Sequence, residues 1–245
     1  MGTRLYLGSN SGGMAELAHA EETPREPAKD MRILAAADIH GALDVYHWLR
    51  DAAVKYSPGA VVLAGDLFSG GWEEEQREEA QSIIVPLLRK IPAPVFYIMG
   101  NDDNVALDYE DEQVRPLHGR RLSHGDFNFV GYQFTPPFVG TAFVKQESEI
   151  EKDLRSLEAL VDSRTVLVTH TPAYGSLDAT FDGEHVGSPS LSALLQRSPV
   201  LAHIHGHIHR RFGRDGNHFN VAAAARRRAV LIDLPTLNCK LLESE

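Results

Sequence analysis

The stretch Arg32-Ile33-Leu34-Ala35-Ala36-Ala37-Asp38-Ile39-His40 decides the fold class of this chain. Residues 32–37 form a short apolar run, which is typical of a buried β-strand. The run ends at Asp38, and His40 follows two residues later. The sequence therefore predicts a buried strand that presents an aspartate and a histidine at its carboxyl end.

Four more apolar runs along the chain end in the same way. They are Ala60–Ala64, Pro94–Met99, Thr165–Thr169 and Val200–Ile204. The polar clusters at their ends are Gly65-Asp66, Gly100-Asn101-Asp102-Asp103, Thr169-His170 and Gly206-His207-Ile208-His209. In parallel α/β sheets, ligand sites collect beyond the carboxyl ends of the strands. The repeated pattern therefore predicts that these clusters share one edge of the fold.

Helical segments separate the first three predicted strands. Apolar residues from Leu43 to Ala53 fall at helical spacing, and Pro58-Gly59 closes that segment. An acidic helix is predicted over residues 73–90, with Pro86 either kinking it or ending it early. Four residues of this helix are expected to face inward, namely Ile83, Ile84, Leu87 and Leu88. Strands that alternate with helices predict an α/β fold with parallel crossover units.

The second half of the chain predicts a hairpin, two helices and further strands. The expected elements are a hairpin over Arg121–Phe134, a loop over Thr135–Gly140, helices over Glu149–Val161 and Ser190–Arg197, and closing strands over Phe219–Ala223 and Ala229–Leu234. We find no internal repeat, so residues 31–245 are expected to form a single domain. Residues 1–30 are rich in Gly, Ser, Glu and Pro, which predicts a flexible tail.

Composition narrows the possible functions. The 24 basic and 34 acidic residues give a net charge of −10, which disfavours nucleic acid and anionic membranes as partners. Arg210-Arg211 and Arg226-Arg227-Arg228 are expected to be ordinary surface residues. A single cysteine excludes an intrachain disulfide and a cysteine-based zinc site. Without a secretory signal or an apolar stretch of ~20 residues, we expect a cytoplasmic protein.

The polar clusters offer carboxylate, amide and imidazole ligands but no sulfur. The candidate ligands are Asp38, His40, Asp66, Asn101, His170, His207 and His209. Each cluster alone has an ordinary explanation, since Gly-Asp is a common turn and a single histidine is usually a satisfied core residue. All five in order favour two divalent metal ions over one structural zinc ion. Mn²⁺ is our first expectation, and Fe, Zn²⁺, Ni²⁺ and Co²⁺ are compatible with the same ligands.

The order Asp-x-His, Gly-Asp, Gly-Asn-x-Asp, His, Gly-His-x-His resembles that of the calcineurin-like metallophosphoesterases, from Met31 to Leu234. Residues 169–172 and 183–188 resemble a branch of small phosphoesterases in that family. The resemblance implies a four-layer αββα sandwich with two ions at the sheet edge. It implies that one ion is held by Asp38, His40, Asp66 and His209, and the other by Asp66, Asn101, His170 and His207. A metal-bound hydroxide would then hydrolyse a phosphodiester or a phosphomonoester.

One position departs from the family pattern. The family usually has Gly-Asn-His-Asp, where the histidine is thought to protonate the leaving group, and here Asp102 takes that place. We expect Asp66 and Asp102 to act in catalysis, unless Asp102 only orients a metal ligand. Asn101 and His185 are expected to contact the substrate.

Two other functions remain compatible with this pattern. A nuclease would use the same metals, although the net charge argues against it. A protein-binding scaffold could keep the fold without catalysis, although all seven candidate ligands are present. The expected partner is a small phosphate ester, and the region Arg121–Phe138 is a candidate contact for a homo-oligomer.

Overall fold

The computed structural model of the chain describes residues 28–140, 142–223 and 226–244. Most of the predicted tail, residues 1–27, lies outside the described residues. The strands are β1 Met31–Ala36, β2 Ala60–Ala64, β3 Val95–Ile98, β4 Val114–Pro116, β5 Arg121–His124, β6 Phe127–Tyr132, β7 Thr165–Thr169, β8 Ala202–His205, β9 Gly213–Asp215, β10 His218–Asn220, β11 Arg228–Leu234 and β12 Asn238–Glu243. The α-helices are α1 Leu43–Tyr56, α2 Glu73–Glu79, α3 Val85–Leu88, α4 Glu147–Leu157 and α5 Pro189–Arg197.

The strands form two six-stranded sheets. The first sheet has the order β12-β11-β1-β2-β3-β4, and the second has the order β5-β6-β7-β8-β10-β9. Strands β1 to β4 run parallel, as do β6, β7, β8 and β10. Both sheets are mixed, because β5, β9, β11 and β12 pair antiparallel with their neighbours.

Three apolar clusters hold the layers together. Side chains of both sheets, including Ile33, Phe96 and Val168, fill the space between them. The other face of the first sheet packs against α1, α3 and the helical turn Ala80–Ile84 before α3, and that of the second packs against α4 and α5. Because successive side chains of a strand point to opposite faces, each central strand contributes to two clusters. The arrangement is the predicted α/β fold, a four-layer αββα sandwich.

The acidic helix differs from its prediction. Helix α2 continues through a π-helical turn, Ala80–Ile84, into α3, so the chain stays helical past Pro86. Proline lies in the first turn of α3, where the wider π-turn relieves the clash of its ring with the preceding turn. The turn also shifts the helical register. Ile84 and Leu88 are buried as predicted, whereas Ile83 is 39% exposed, so its predicted inward orientation was wrong.

Two surface predictions concern partners. Among the described residues, no helix combines the length and the apolar character needed to cross a bilayer. The predicted hairpin is formed by β5 and β6, and β5 is an edge strand of the second sheet. Its role as a subunit contact stays a prediction.

Candidate metal centre

The candidate ligands meet where the carboxyl ends of β1, β2 and β3 face those of β7 and β8. Three overlapping groups of side chains have ligand atoms within 4.8 Å of one another and could hold a metal ion. They are Asp38 with His40 and His209, Asp38 with Asp66 and His170, and His40 with Asp66 and Asp102. Asp38, His40 and Asp66 each belong to two of these groups. Asp66 approaches His40 of the first predicted ligand set (3.9 Å) and His170 of the second (3.2 Å), as a bridging carboxylate would.

The first predicted ligand set converges on Asp38. Nε2 of His209 lies 3.1 Å from Oδ1 of Asp38 and 3.4 Å from Nε2 of His40. Two imidazole nitrogens at this distance cannot both carry a hydrogen directed at the other, so at least one of them offers a lone pair to a cation. Nε2 of His40 is also 3.9 Å from Oδ2 of Asp66. The structure therefore brings all four residues of this set together.

The second predicted set surrounds His170. Its Nε2 atom lies 3.0 Å from Oδ1 of Asn101 and 3.2 Å from Oδ2 of Asp66. The ring of His207 is 5.2 Å from the ring of His170, centroid to centroid. Nε2 of His207 is buried and has no hydrogen-bond partner among the described residues. A buried polar atom without a partner is costly, and a bound cation would satisfy it. The side chains present thus fit a second ion.

Burial and opposite charges set the protonation of this centre. Burial alone would raise the pKa of Asp66, but the charge and hydrogen bond of His170 lower it below its ordinary value. Burial alone would lower the pKa of His170, but Asp66 and Asp38 raise it to about 10. Burial lowers the pKa of His207 to about 4, which leaves a neutral imidazole. Neutral imidazole is the form that binds metals.

The backbone that carries the ligands is strained. Four candidate ligands adopt positive φ angles, namely Asp38 (56°), His40 (49°), Asp66 (54°) and His207 (70°). Residues other than glycine seldom occupy this left-handed region, and such strain concentrates at functional sites. Hydrogen bonds between the loops stabilise this strained backbone. They include the bond from the N–H of His40 to the carbonyl of Asp66 (2.9 Å) and the bond from the N–H of His207 to the carboxylate of Asp38 (3.0 Å).

Two glycines allow the carboxylates to sit against neighbouring loops. A Cβ atom at Gly100 would collide with the carboxylate of Asp66, and one at Gly206 would collide with the carboxylate of Asp38. The glycine that precedes each of these ligand motifs is therefore a requirement of packing around the ligands.

Asp102 lies beside the metal ligands. Its Oδ2 atom is 3.8 Å from Nδ1 of His40, and its side chain is 46% exposed. Its Oδ1 atom accepts a hydrogen bond of 2.8 Å from Nδ2 of Asn101. Because the amide nitrogen is held in this way, the oxygen of Asn101 faces His170. This contact is what a carboxylate that orients a ligand would make, and a catalytic role for Asp102 stays a prediction.

His185 occupies the loop between β7 and α5. Nδ1 of His185 lies 2.6 Å from Oδ1 of the buried Asp178, and its side chain is 44% exposed. Its ring also lies 5.4 Å from that of Tyr174. Within the described part of the chain, its polar partner is thus a loop residue and not one of the seven ligand candidates. Its role in substrate binding stays a prediction.

Sequence reasoning assigned no role to Asp103, which the structure places behind the centre. This buried carboxylate accepts hydrogen bonds from the N–H groups of Leu67 (2.8 Å), Phe68 (2.9 Å) and Gly100 (2.8 Å). Burial, together with the charge of Asp66, raises its pKa to about 8. Asp103 therefore ties the loop after β2 to the loop after β3. Its place in the cluster Gly100-Asn101-Asp102-Asp103 was the available signal.

His203 and His205 precede the last ligand motif and are both fully buried in β8. Nε2 of His203 lies 2.8 Å from Oγ1 of Thr169, and Nδ1 lies 3.0 Å from Nδ1 of His218. The strand ends before Gly206, as the sequence indicates, so these two histidines support the site from within the core.

The fold matches solved structures over most of the chain. A crystal structure with 17% sequence identity has a TM-score of 0.72, over 89% of this chain and 100% of its own. The protein TT1561 of Thermus thermophilus is 16% identical with a TM-score of 0.65, over 88% of this chain and 99% of its own. A dimetal phosphatase from Danio rerio is 12% identical with a TM-score of 0.52, over 88% and 99%. At these identities, the likeness shows the fold alone.

The sequence itself identifies the family. No significant match was found among curated protein sequences. A family model described as calcineurin-like phosphoesterase matches residues 31–211, which is more than half of the 245 residues and includes every candidate ligand. The chain therefore belongs to the calcineurin-like phosphoesterase family.

Proposed function

We propose that this protein is a phosphoesterase that hydrolyses a phosphodiester or phosphomonoester at a dinuclear metal centre. The observation that carries the proposal is the position of Asp66, whose carboxylate lies 3.9 Å from His40 of one predicted ligand set and 3.2 Å from His170 of the other. Two ions that share such a ligand lie ~3.5–4 Å apart in enzymes of this type. Mn²⁺ remains our first choice of metal.

The bound ions would stabilise charge on the phosphate oxygens and lower the pKa of water, so that a nucleophile exists at neutral pH. The residues of the chain supply the rest. His170 would present Nε2 to the same ion as Asp66, because this nitrogen lies 3.2 Å from the Asp66 carboxylate. Asp102 fixes the amide of Asn101 so that its oxygen faces the centre. Phe138 is exposed, and its ring lies 5.9 Å from that of His207, where it would border a bound ester.

A direct assay separates an enzyme from a scaffold with the same fold. With Mn²⁺, the protein should hydrolyse bis-p-nitrophenyl phosphate, and EDTA should abolish the activity. Asp66→Asn should reduce kcat about 100-fold or more, because it removes the charge that two ions share. Asp51→Asn, which changes an exposed carboxylate on α1, is the matched control and should retain wild-type rates. Hydrolysis that persists in EDTA, or survives in Asp66→Asn, would contradict the proposal.

A further inference from the structure

A positively charged cavity of about 560 Å³ lies beside the metal centre. It is lined by His209, Arg210, Arg226 and Arg228. His209 also approaches Asp38 and His40, so one side chain belongs both to the cavity and to the candidate metal centre. A group bound in the cavity would therefore be a close neighbour of a phosphate held by the ions. The volume falls within the range typical of small-molecule sites.

Aromatic rings hold two of the three arginines that line the cavity. The guanidinium of Arg210 lies over the ring of Phe181 (4.9 Å), and that of Arg228 lies over the ring of Phe212 (5.1 Å). Cation–π contacts of this kind hold a guanidinium in place without neutralising its charge. The neighbouring Arg227 does not line the cavity and instead forms an ion pair with Asp44 on α1.

Among the described residues, no carboxylate lines the cavity to neutralise its arginines. Within the described residues, Arg210 and Arg226 make no ion pair, and Arg228 has only Glu243 of the neighbouring strand, at 3.5 Å. The chain has ten more acidic than basic residues, yet none of the carboxylates that the structure describes lines this space. Like charges gathered around one cavity repel each other, and a bound anion relieves that repulsion. The sequence alone predicts ordinary surface here, because a pair or trio of arginines on an exposed loop usually has no further role.

We infer that this cavity binds a second anionic group of the substrate, and that the substrate is a phosphate ester carrying another phosphate. The inference rests on the proposed function, because the scissile phosphate is the one held at the metal centre. Guanidinium groups match phosphate oxygens with paired hydrogen bonds, which favours a phosphate over a carboxylate of lower charge. Because His209 belongs to both the cavity and the centre, the two phosphates would be neighbours on one small molecule, and a nucleotide bisphosphate is a convenient probe.

A matched pair of substrates tests the inference. Thymidine 5′-(p-nitrophenyl phosphate) and its 3′-phosphorylated form release the same chromophore and differ by one phosphate. With Mn²⁺, the wild-type protein should show a KM about 10-fold lower for the 3′-phosphorylated ester, as one or two charge-assisted hydrogen bonds would give. Arg226→Gln should bring the two KM values within about two-fold, and Arg226→Lys should keep part of the difference. Arg155→Gln, an equal charge change on the surface of α4, should retain the wild-type ratio.

A binding measurement makes failure of the inference distinct from failure of the proposed function. In EDTA, which removes the ions, the cavity would be the remaining phosphate site, so calorimetric titration with thymidine 5′-monophosphate should show binding that Arg226→Gln weakens about 10-fold and Arg155→Gln leaves unchanged. Equal affinities of the wild type and Arg226→Gln for this nucleotide would overturn the inference. Absence of hydrolysis together with nucleotide binding that depends on Arg226 would overturn the proposed function and leave the anion site standing.

Discussion

Asp102 takes the position at which the family pattern described above usually has a histidine. Each of its two carboxylate oxygens lies near a different candidate metal ligand. It holds the amide of Asn101 through one oxygen, while the other lies near His40. An ionised carboxylate cannot protonate a leaving group, so the chain should depend on esters whose leaving group departs without a proton. The residue therefore bears on leaving-group preference as well as on the geometry of the site.

We predict that the wild-type protein hydrolyses p-nitrophenyl phosphate well and alkyl phosphates poorly. Asp102→His should raise kcat/KM for an alkyl ester at least about 10-fold, because an imidazolium can donate the proton that the alkoxide needs. Asp102→Asn keeps an acceptor for Asn101 and serves as the control, with little change in leaving-group preference. Similar rates for aryl and alkyl esters in the wild type would count against this interpretation.

Gly206 tests how closely the loops must pack around Asp38. Gly206→Ala places a methyl group against the carboxylate of Asp38, which must then shift away from His209. We expect the affinity for the ion held by Asp38, His40 and His209 to fall about 10-fold. Removing a group that orients a metal ligand typically causes a loss of this size. Isothermal titration with Mn²⁺ measures it. Gly70→Ala, where the added atom meets nothing within 4 Å, is the control, and equal affinities in the two variants would refute the packing argument.

Strands in the centre of the sheets were predictable, whereas three of the four edge strands were not. The strands β2 and β7 have the bounds that their apolar runs predict. The three strands without a predicted counterpart are β4, β9 and β12, and each lies at an edge of its sheet. Edge strands are short or half exposed, so they lack the continuous apolar run that reveals a buried strand. The exposed Cys239 lies on one of them.

Helix α5 begins at Pro189, one residue before the predicted start at Ser190, and Ser188 caps it. Oγ of the buried Ser188 accepts a hydrogen bond of 3.1 Å from the N–H of Leu191 and donates one of 2.7 Å to Glu147 on α4. Ser188→Ala should therefore lower the free energy of unfolding by about 1–2 kcal/mol, since a helix cap and a tie between two helices are both lost. Urea denaturation measures the change. Ser192→Ala within the same helix should have a smaller effect, and equal losses would contradict the capping role.

At the scale of the whole molecule, the ligand set was predictable because each ligand follows a recognisable strand. Other features of the site depend on residues that the fold brings together and that no regular sequence pattern marks. Asp178 supports His185 from the same irregular loop, where no periodic pattern marks it. The arginines of the charged cavity come from two segments that only the completed fold brings together. The spacing of residues in the sequence does not show which distant residues become neighbours in the folded protein.

The buried histidines of β8 predict how the whole domain responds to acid. Burial lowers the pKa of His203 well below its ordinary value, and the charges of His205 and His218 add to the effect. The unfolded chain, with a histidine pKa of about 6.5, then binds more protons than the folded chain below that pH. This contribution to stability is complete above about pH 6.5 and is lost progressively as the pH falls.

In metal-free protein, His203→Gln should weaken the dependence of unfolding free energy on pH by up to about 1.4 kcal/mol per unit below pH 6.5. Denaturation curves at several pH values provide the comparison. His47→Gln, an exposed position on α1, should leave the slope of the wild type unchanged. An identical slope in His203→Gln and the wild type would show that this histidine is not kept neutral by the fold.

Anomalous diffraction from crystals loaded with Mn²⁺, with the metal content of the same protein determined by elemental analysis, tests whether the metal centre is dinuclear. We predict two ions per chain, one bound by Asp38, His40 and His209 and the other by Asn101, His170 and His207. The carboxylate of Asp66 should contact both ions. A single ion, or ions bound away from Asp66, would contradict this prediction.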